Sequence, residues 1–222
     1  MKKYAFYFFV LVSMAELISV IHHITELTLI AKPLIMIALA VYYVLSTPNR
    51  SSLFLVALAF CWLGDVFLMF DYKNELFFMA GLGSFLTGHI LYIRCYQRLR
   101  FNDATNPLLG PQKIRFSLPI LLAGTGLVVV LYPTLGGLRI PVMIYALVIT
   151  VMALQALFRF GYTTTKSFAL VFSGAICFMI SDSLLAINKF LHPVPFASLC
   201  IMTTYILAQY LIVEGVLAHE KR

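Results

Sequence analysis

The sequence predicts an all-α, polytopic membrane helix bundle of about eight transmembrane helices, and three observations predict it. Of 222 residues, 62% are hydrophobic and only 11% are charged, whereas soluble domains run nearer half apolar and a quarter charged. The apolar residues fall in long continuous runs, not in the short alternating segments of a membrane β-barrel. At roughly 20 residues per crossing, the length holds eight short-looped spans as a single transmembrane domain over 1–222, with no room for a soluble one.

The spans are justified in order. Lys2 and Lys3 precede the apolar stretch Tyr4–Ile21. That stretch is too long for a signal-peptide core and lacks a small-x-small cleavage site after it, so it reads as a first span that stays. The second, Pro33–Ser46, is the shortest, its ends blurred by Lys32-Pro33 and Thr47-Pro48-Asn49. Proline suits a first helical turn, so Pro33 is expected to open this span and Pro48 to end it. The others are Ser51–Phe70, Leu76–Tyr96, Phe116–Tyr132, Leu138–Phe158, Ser167–Ile187 and Phe196–Ala218, with Pro119 and Pro141 near span starts. The longest connection, Gln97–Arg115, contains Asn106-Pro107 and Gly110-Pro111 and reads as loop.

Charge gives the orientation. With the N-terminus in the cytoplasm, only Lys32, Lys73, Arg139 and Lys189 fall outside. The other twelve of the 16 basic residues fall inside: Lys2, Lys3, Arg50, Arg94, Arg98, Arg100, Lys113, Arg115, Arg159, Lys166, Lys221 and Arg222. Both termini are therefore expected to be cytoplasmic. The net charge of +7 follows from the same bias and implies no nucleic-acid partner. Cys61, Cys95, Cys177 and Cys200 are scattered, form neither a CxxC pair nor a disulfide framework, and read as packing residues.

The chemistry begins with two carboxylates. Asp65 lies inside the run Ser51–Phe70 and Asp182 inside Ser167–Ile187. A charge in hydrocarbon costs about 2.5–3.5 kcal/mol on insertion scales, so such residues face a protein interior or a wet cavity. One alone would be explained by a hydrogen bond to a neighbouring helix. Two in matching positions mark a site. Each falls in the third span of a four-span half, in Gly64-Asp65-x-x-Leu68 and Ser181-Asp182-x-x-Leu185. The half-repeats would be 1–100 and 114–222, sharing one orientation about an axis along the membrane normal.

Other polar residues join them. His89 shares a helical face with Phe85 and Tyr92. Gly81, Ser84 and Gly88 form a small-residue stripe suited to close helix packing. Lys189 follows Asp182 by two turns on the same face, about 10 Å away. It either snorkels to the interface or binds a phosphate there, and Lys32 is a second candidate on that side. Tyr205 and Gln209 share a face in the last span, which Tyr145 would join. Glu214 can reach water from near a span end, while Glu16, flanked by Ser13 and Ser19, has no assigned role. The sequence lacks a G-x-S-x-G elbow, HExxH, a phosphate loop and GxGxxG. Trp62 breaks the Gly-x-Gly-Asp pattern of intramembrane aspartyl proteases, and no ligand set has metal spacing.

Taken together, Lys32-Pro33-Leu34, Gly64-Asp65 with Leu68, Gly81 with Phe85, His89 and Tyr92, Tyr145, Ser181-Asp182-Ser183, Lys189-Phe190, and Tyr205 with Gln209 resemble the YhhN family. That family comprises multi-spanning lysoplasmalogenases. The resemblance implies hydrolysis of the vinyl ether of a lysoplasmalogen to a fatty aldehyde and glycerophosphoethanolamine or glycerophosphocholine. It makes Asp65 and Asp182 the catalytic acids, with the substrate, membrane lipids and water as partners; no cofactor or metal is expected. Such a reaction needs one carboxyl to protonate the outer alkene carbon and one carboxylate to steady the oxocarbenium ion and activate water. His89 and Tyr92 would orient or relay protons, Lys189 and Lys32 would hold phosphate, and Phe85 would line the chain slot. A proton-coupled transporter or flippase would use buried Asp and His equally well. A lipid-binding or assembly protein would use the carboxylates only to join helices. A bacterial inner membrane is the expected location.

Overall fold

The computed structural model describes residues 1–102, 104 and 106–220. Lys221 and Arg222, counted above among the cytoplasmic charges, lie outside the described residues, as do Asp103 and Thr105 of the expected loop. Among the described residues there are eight α-helices and no strand: α1 Lys2–His22, α2 Thr25–Ser46, α3 Ser52–Leu68, α4 Glu75–Arg98, α5 Gly110–Leu131, α6 Arg139–Leu157, α7 Thr165–Phe190 and α8 Ala197–Glu220. Two single 3₁₀ turns, Tyr132–Thr134 and Gly136–Leu138, join α5 to α6. All the α-helices but α3 are long and apolar enough to cross a membrane; α3 has 17 residues. The protein is an integral membrane helical bundle.

Three expectations need correction. The second span is not short: α2 starts at Thr25, so Pro33 lies inside it and does not open it. A proline within a membrane helix leaves one carbonyl without its usual partner, a loss that neighbouring groups can make good. Pro119 likewise lies inside α5. The third correction concerns Gly110-Pro111, which begins α5 and is not loop. Proline occupies the first turn there, and Gln112 Oε1 accepts from the Leu109 N–H at 2.9 Å, so the signals of a break instead mark a helix start.

Local chemistry sets several other ends. Ser51 caps α3 by accepting from Phe54 N–H at 3.3 Å, and Thr164 caps α7 by accepting from Ser167 N–H at 3.1 Å. His23 closes α1 in the left-handed region, at φ 54°. Ser19 Oγ then donates to the Ile24 carbonyl at 2.6 Å and lies 2.7 Å from Thr28 Oγ1, pinning the turn into α2.

The chain divides into two compact units, Met1–Tyr92 and Ile93–Glu220. In the first, α2 packs on α1 and α3, with Tyr43 edge-on to Phe54 at 4.9 Å. The faces of α3 and α4 meet across glycines. A Cβ at Gly64 would lie 2.5 Å from Phe85 Cδ2, one at Gly81 2.7 Å from Leu68 Cδ2, and one at Gly88 2.9 Å from Cys61 Sγ. The Gly81 and Gly88 positions of the small-residue stripe therefore do serve close packing. In the second unit α7 lies along α8, again through glycines: Gly174 abuts the Ala208 carbonyl and Gly215 abuts Val171. Large apolar side chains such as Leu11, Leu122, Val129 and Leu147 point outward, more than half exposed, the arrangement a lipid-facing surface requires.

Candidate active site

In the first unit, Asp65 sits near the end of α3 and is 3% exposed. One turn earlier on the same face, Cys61 Sγ lies 3.8 Å from Tyr92 Oη on α4. The facing side of α4 is an aromatic ladder at helical spacing. Phe85 and His89 stack with ring centroids 6.3 Å apart, and His89 and Tyr92 follow at 6.5 Å. His89 and Tyr92 are fully buried and Phe85 nearly so. The ladder reaches α3 at both ends, through Phe85 against Gly64 and through Tyr92 beside Cys61. Asp65 directly follows the first of those points, Gly64, on the sequence of α3. Only glycine at position 64 lets the Phe85 ring approach this closely.

Lys32 is half-buried on α2 and acts electrostatically on Glu16 of α1. Glu16 is 1% exposed and lies on a stripe with Ser13 and Ser19, both buried. This electrostatic link between α1 and α2 was not apparent from the sequence.

In the second unit, Tyr145 of α6 donates its hydroxyl proton to Asp182 Oδ2 on α7. Both residues are half-buried. A turn before Asp182, Phe178 sits edge-on to Tyr205 of α8 at 5.4 Å, and Gln209 Nε2 reaches Tyr205 Oη at 3.5 Å. Tyr205 and Gln209 are buried. Ser181, beside Asp182, donates to the Ile201 carbonyl at 3.0 Å and fixes α7 against α8 at this level. Lys189 is exposed in the last turn of α7, two turns beyond Asp182.

The two carboxylates therefore belong to different units. Asp65 shares its unit with Phe85, His89, Tyr92 and Lys32, and Asp182 shares its unit with Tyr145, Tyr205, Gln209 and Lys189. Sequence reasoning did not single out Cys61 or Phe178. Both are one turn from an aspartate, at i−4, and that spacing was the available signal. Among the described residues no group of three or more His, Cys, Asp or Glu side chains is placed to hold a metal ion.

The family model for the YhhN family matches residues 27–216, nearly the whole chain and all the residues named above except those of α1. The chain belongs to the YhhN family. Among its YhhN-like relatives, the human lysoplasmalogenase TMEM86A is 31% identical over 184 residues, covering 81% of this chain and 70% of that protein. The human lysoplasmalogenase TMEM86B is 33% identical over 135 residues, 61% of this chain and 52% of that protein. A lysoplasmalogenase of Mycobacterium bovis is 31% identical over 140 residues, 62% of this YhhN chain and 50% of its own. No solved structure matches.

Proposed function

We propose that this chain is a lysoplasmalogenase of a bacterial inner membrane, cleaving the vinyl ether of a lysoplasmalogen by paired aspartate catalysis. Support comes from the relatives' names together with one structural observation: Asp182 is half-buried and accepts a hydrogen bond from Tyr145, while Asp65 is almost fully buried. These are two carboxyls in unlike environments, the arrangement that lets a pair divide acid and base work.

In this mechanism Asp65, as the acid, gives its proton to the outer alkene carbon, and the C=C electron pair forms the new C–H bond. The positive charge left on the inner carbon and ether oxygen is an oxocarbenium ion. Asp182, the carboxylate of the pair and the acceptor of the Tyr145 hydroxyl, stabilises that charge and takes a proton from the water that adds to the inner carbon. The resulting hemiacetal gives its hydroxyl proton to Asp65 as its bond to the glycerol oxygen breaks, and Asp182 returns its proton to that oxygen. One molecule of water is consumed, and an aldehyde and an alcohol leave. Asp65 is reprotonated and Asp182 deprotonated by the end of the cycle. His89 and Tyr92 position the acid, Phe85 contacts the alkyl chain, Tyr205 and Gln209 serve as further substrate-binding groups, and Lys189, at the end of α7, meets the phosphate. Lys32, which acts electrostatically on Glu16, is the second candidate for the phosphate.

The test is to present the purified protein with a lysoplasmalogen and with its saturated ether analogue. The expected result is aldehyde from the first and nothing from the second. A protein that carries labelled lipid across a vesicle bilayer without consuming it would be a flippase, and this reading would fail.

A further inference from the structure

The unit Ile93–Glu220 holds a second polar cluster, at the end where α6 closes, α7 opens and α8 finishes. Arg159, in the turn after α6, is fully buried. Its Nε and Nη2 both reach the Leu99 carbonyl at 3.3 Å, and Nη2 donates to Ser167 Oγ at 3.0 Å. Ser167 in turn donates to the Gly215 carbonyl at 2.7 Å. Nη1 of Arg159 is buried with no hydrogen-bond partner. Arg100, next to Leu99 in sequence and half-buried, donates through Nη2 to Gln155 Oε1 at 3.0 Å, and its Nε is likewise buried without a partner.

Neither guanidinium has a carboxylate partner among the described residues. What surrounds them is aromatic: Tyr96 lies 5.8 Å from Arg159, and Tyr162 lies 5.8 Å from Arg100. Burial pushes Arg159 down to about 10, with Tyr96 opposing and Arg100 pushing the same way. It remains a cation at neutral pH. The loop beside the pair is fastened in place. Phe101 N–H donates to the Tyr162 carbonyl at 2.7 Å, and Tyr162 N–H donates to the Arg159 carbonyl at 3.0 Å. Gly161, at φ 78°, lets the Asn106 carbonyl come within 2.4 Å of where a Cβ would stand, an approach open to glycine alone.

Capping the end of α4 at Leu99 explains Nε and Nη2 of Arg159. It does not explain Nη1, the second arginine, or the Arg100 Nε. Two adjoining cations with buried, unpartnered N–H groups and no acid partner among the described residues form an incomplete ion cluster, and a buried unpaired charge is costly to keep. We infer that Arg100 and Arg159 form a binding site for a phosphate-bearing anion, with Arg159 Nη1 and Arg100 Nε as its donors. Guanidinium groups match the tetrahedral oxygens of phosphate, and the cluster lies at the helix ends, where phospholipid headgroups sit.

The bound phosphate is not that of a substrate at Asp182. Ser167 touches Arg159 and precedes Asp182 by fifteen residues of the continuous helix α7, about 22 Å at 1.5 Å per residue. The three-carbon glycerol of a lysophospholipid cannot bridge that length between phosphate and vinyl ether. A second molecule, lipid or free anion, occupies the pair.

The test uses the full chain in maltoside micelles, which carry no phosphate. Thermal stability is titrated with inorganic phosphate and, separately, with dioleoyl phosphatidylglycerol. Sodium chloride at matched ionic strength and dioleoylglycerol are the controls. Stabilisation by both phosphate compounds beyond their controls establishes a site for any phosphate; stabilisation by the lipid alone establishes a headgroup site. Arg100→Gln, at a half-exposed position that folding tolerates even if Arg159→Gln does not, is expected to weaken half-saturation about tenfold, as loss of a charged hydrogen bond should. Lys113→Gln, an exposed charge in the same unit, is expected to leave it unchanged. The inference is overturned if neither compound stabilises beyond its control, or if Arg100→Gln titrates like the unaltered protein or like Lys113→Gln.

Discussion

Tyr145→Phe isolates one atom of the proposed mechanism. The substitution removes the hydroxyl that donates to Asp182 Oδ2 and keeps the ring that packs α6 on α7. A hydrogen bond to a charged group contributes about 1.5–3 kcal/mol, and each 1.36 kcal/mol in a barrier is tenfold in rate. If Asp182 works as the carboxylate facing the oxocarbenium ion, kcat/KM for aldehyde release should fall roughly 10- to 150-fold. Because the ring stays and both residues are only half-buried, thermal stability should hardly move. The assay is initial-rate aldehyde release over a range of lysoplasmalogen concentrations in mixed micelles, with a melting curve on the same sample. A kcat/KM within about twofold of the unaltered protein, with the melting curve also unchanged, would refute the reasoning.

The remaining expectations concern packing and chemistry. Gly64→Ala places a methyl 2.5 Å from the Phe85 ring, which is stacked on buried His89 and cannot swing aside. Overpacking of about 1–3 kcal/mol should lower the melting temperature and reduce activity together. Gly215→Ala, 2.8 Å from the Val171 backbone nitrogen, should destabilise at least as much. Gly83→Ala meets nothing within 4 Å and should stabilise by about 0.5–1 kcal/mol through helix propensity; equal melting shifts at the three positions would contradict the glycine argument. Turnover in deuterium oxide should place one deuterium on the carbon next to the aldehyde carbonyl, read by mass spectrometry of promptly trapped product. Aldehyde without that label would exclude protonation at the outer alkene carbon.

Much of the fold was legible because membrane spans announce themselves by continuous apolar length, and the eight helices fall where those runs fall. Their ends were less legible. Proline at 33 and 119 was read as punctuation, yet a helix already formed on both sides carries it at the cost of one hydrogen bond. Gly110-Pro111 was read as loop, and the Gln112 cap that makes it a helix start is a side-chain geometry invisible in composition. The polar candidates could be named because Asp, His and Gln are conspicuous in apolar runs. Their pairings could not. Tyr145 was expected beside Tyr205 and Gln209, and its bond to Asp182 depends on how α6 lies on α7. Arg159 looked like an ordinary interfacial charge at a span end, and only the folded loop around Leu99 and Phe101 reveals that it is fully enclosed.

The most direct measurement compares aldehyde release by Asp65→Asn and Asp182→Asn with that of the unaltered protein, on samples of matched melting temperature. Both amides keep the shape of the side chain and lose the ability to give or take the proton. The expected result is loss of turnover in each, with lysoplasmalogen still bound. Undiminished turnover in Asp182→Asn would show that the second carboxylate has no part in the chemistry, and the paired mechanism would be wrong.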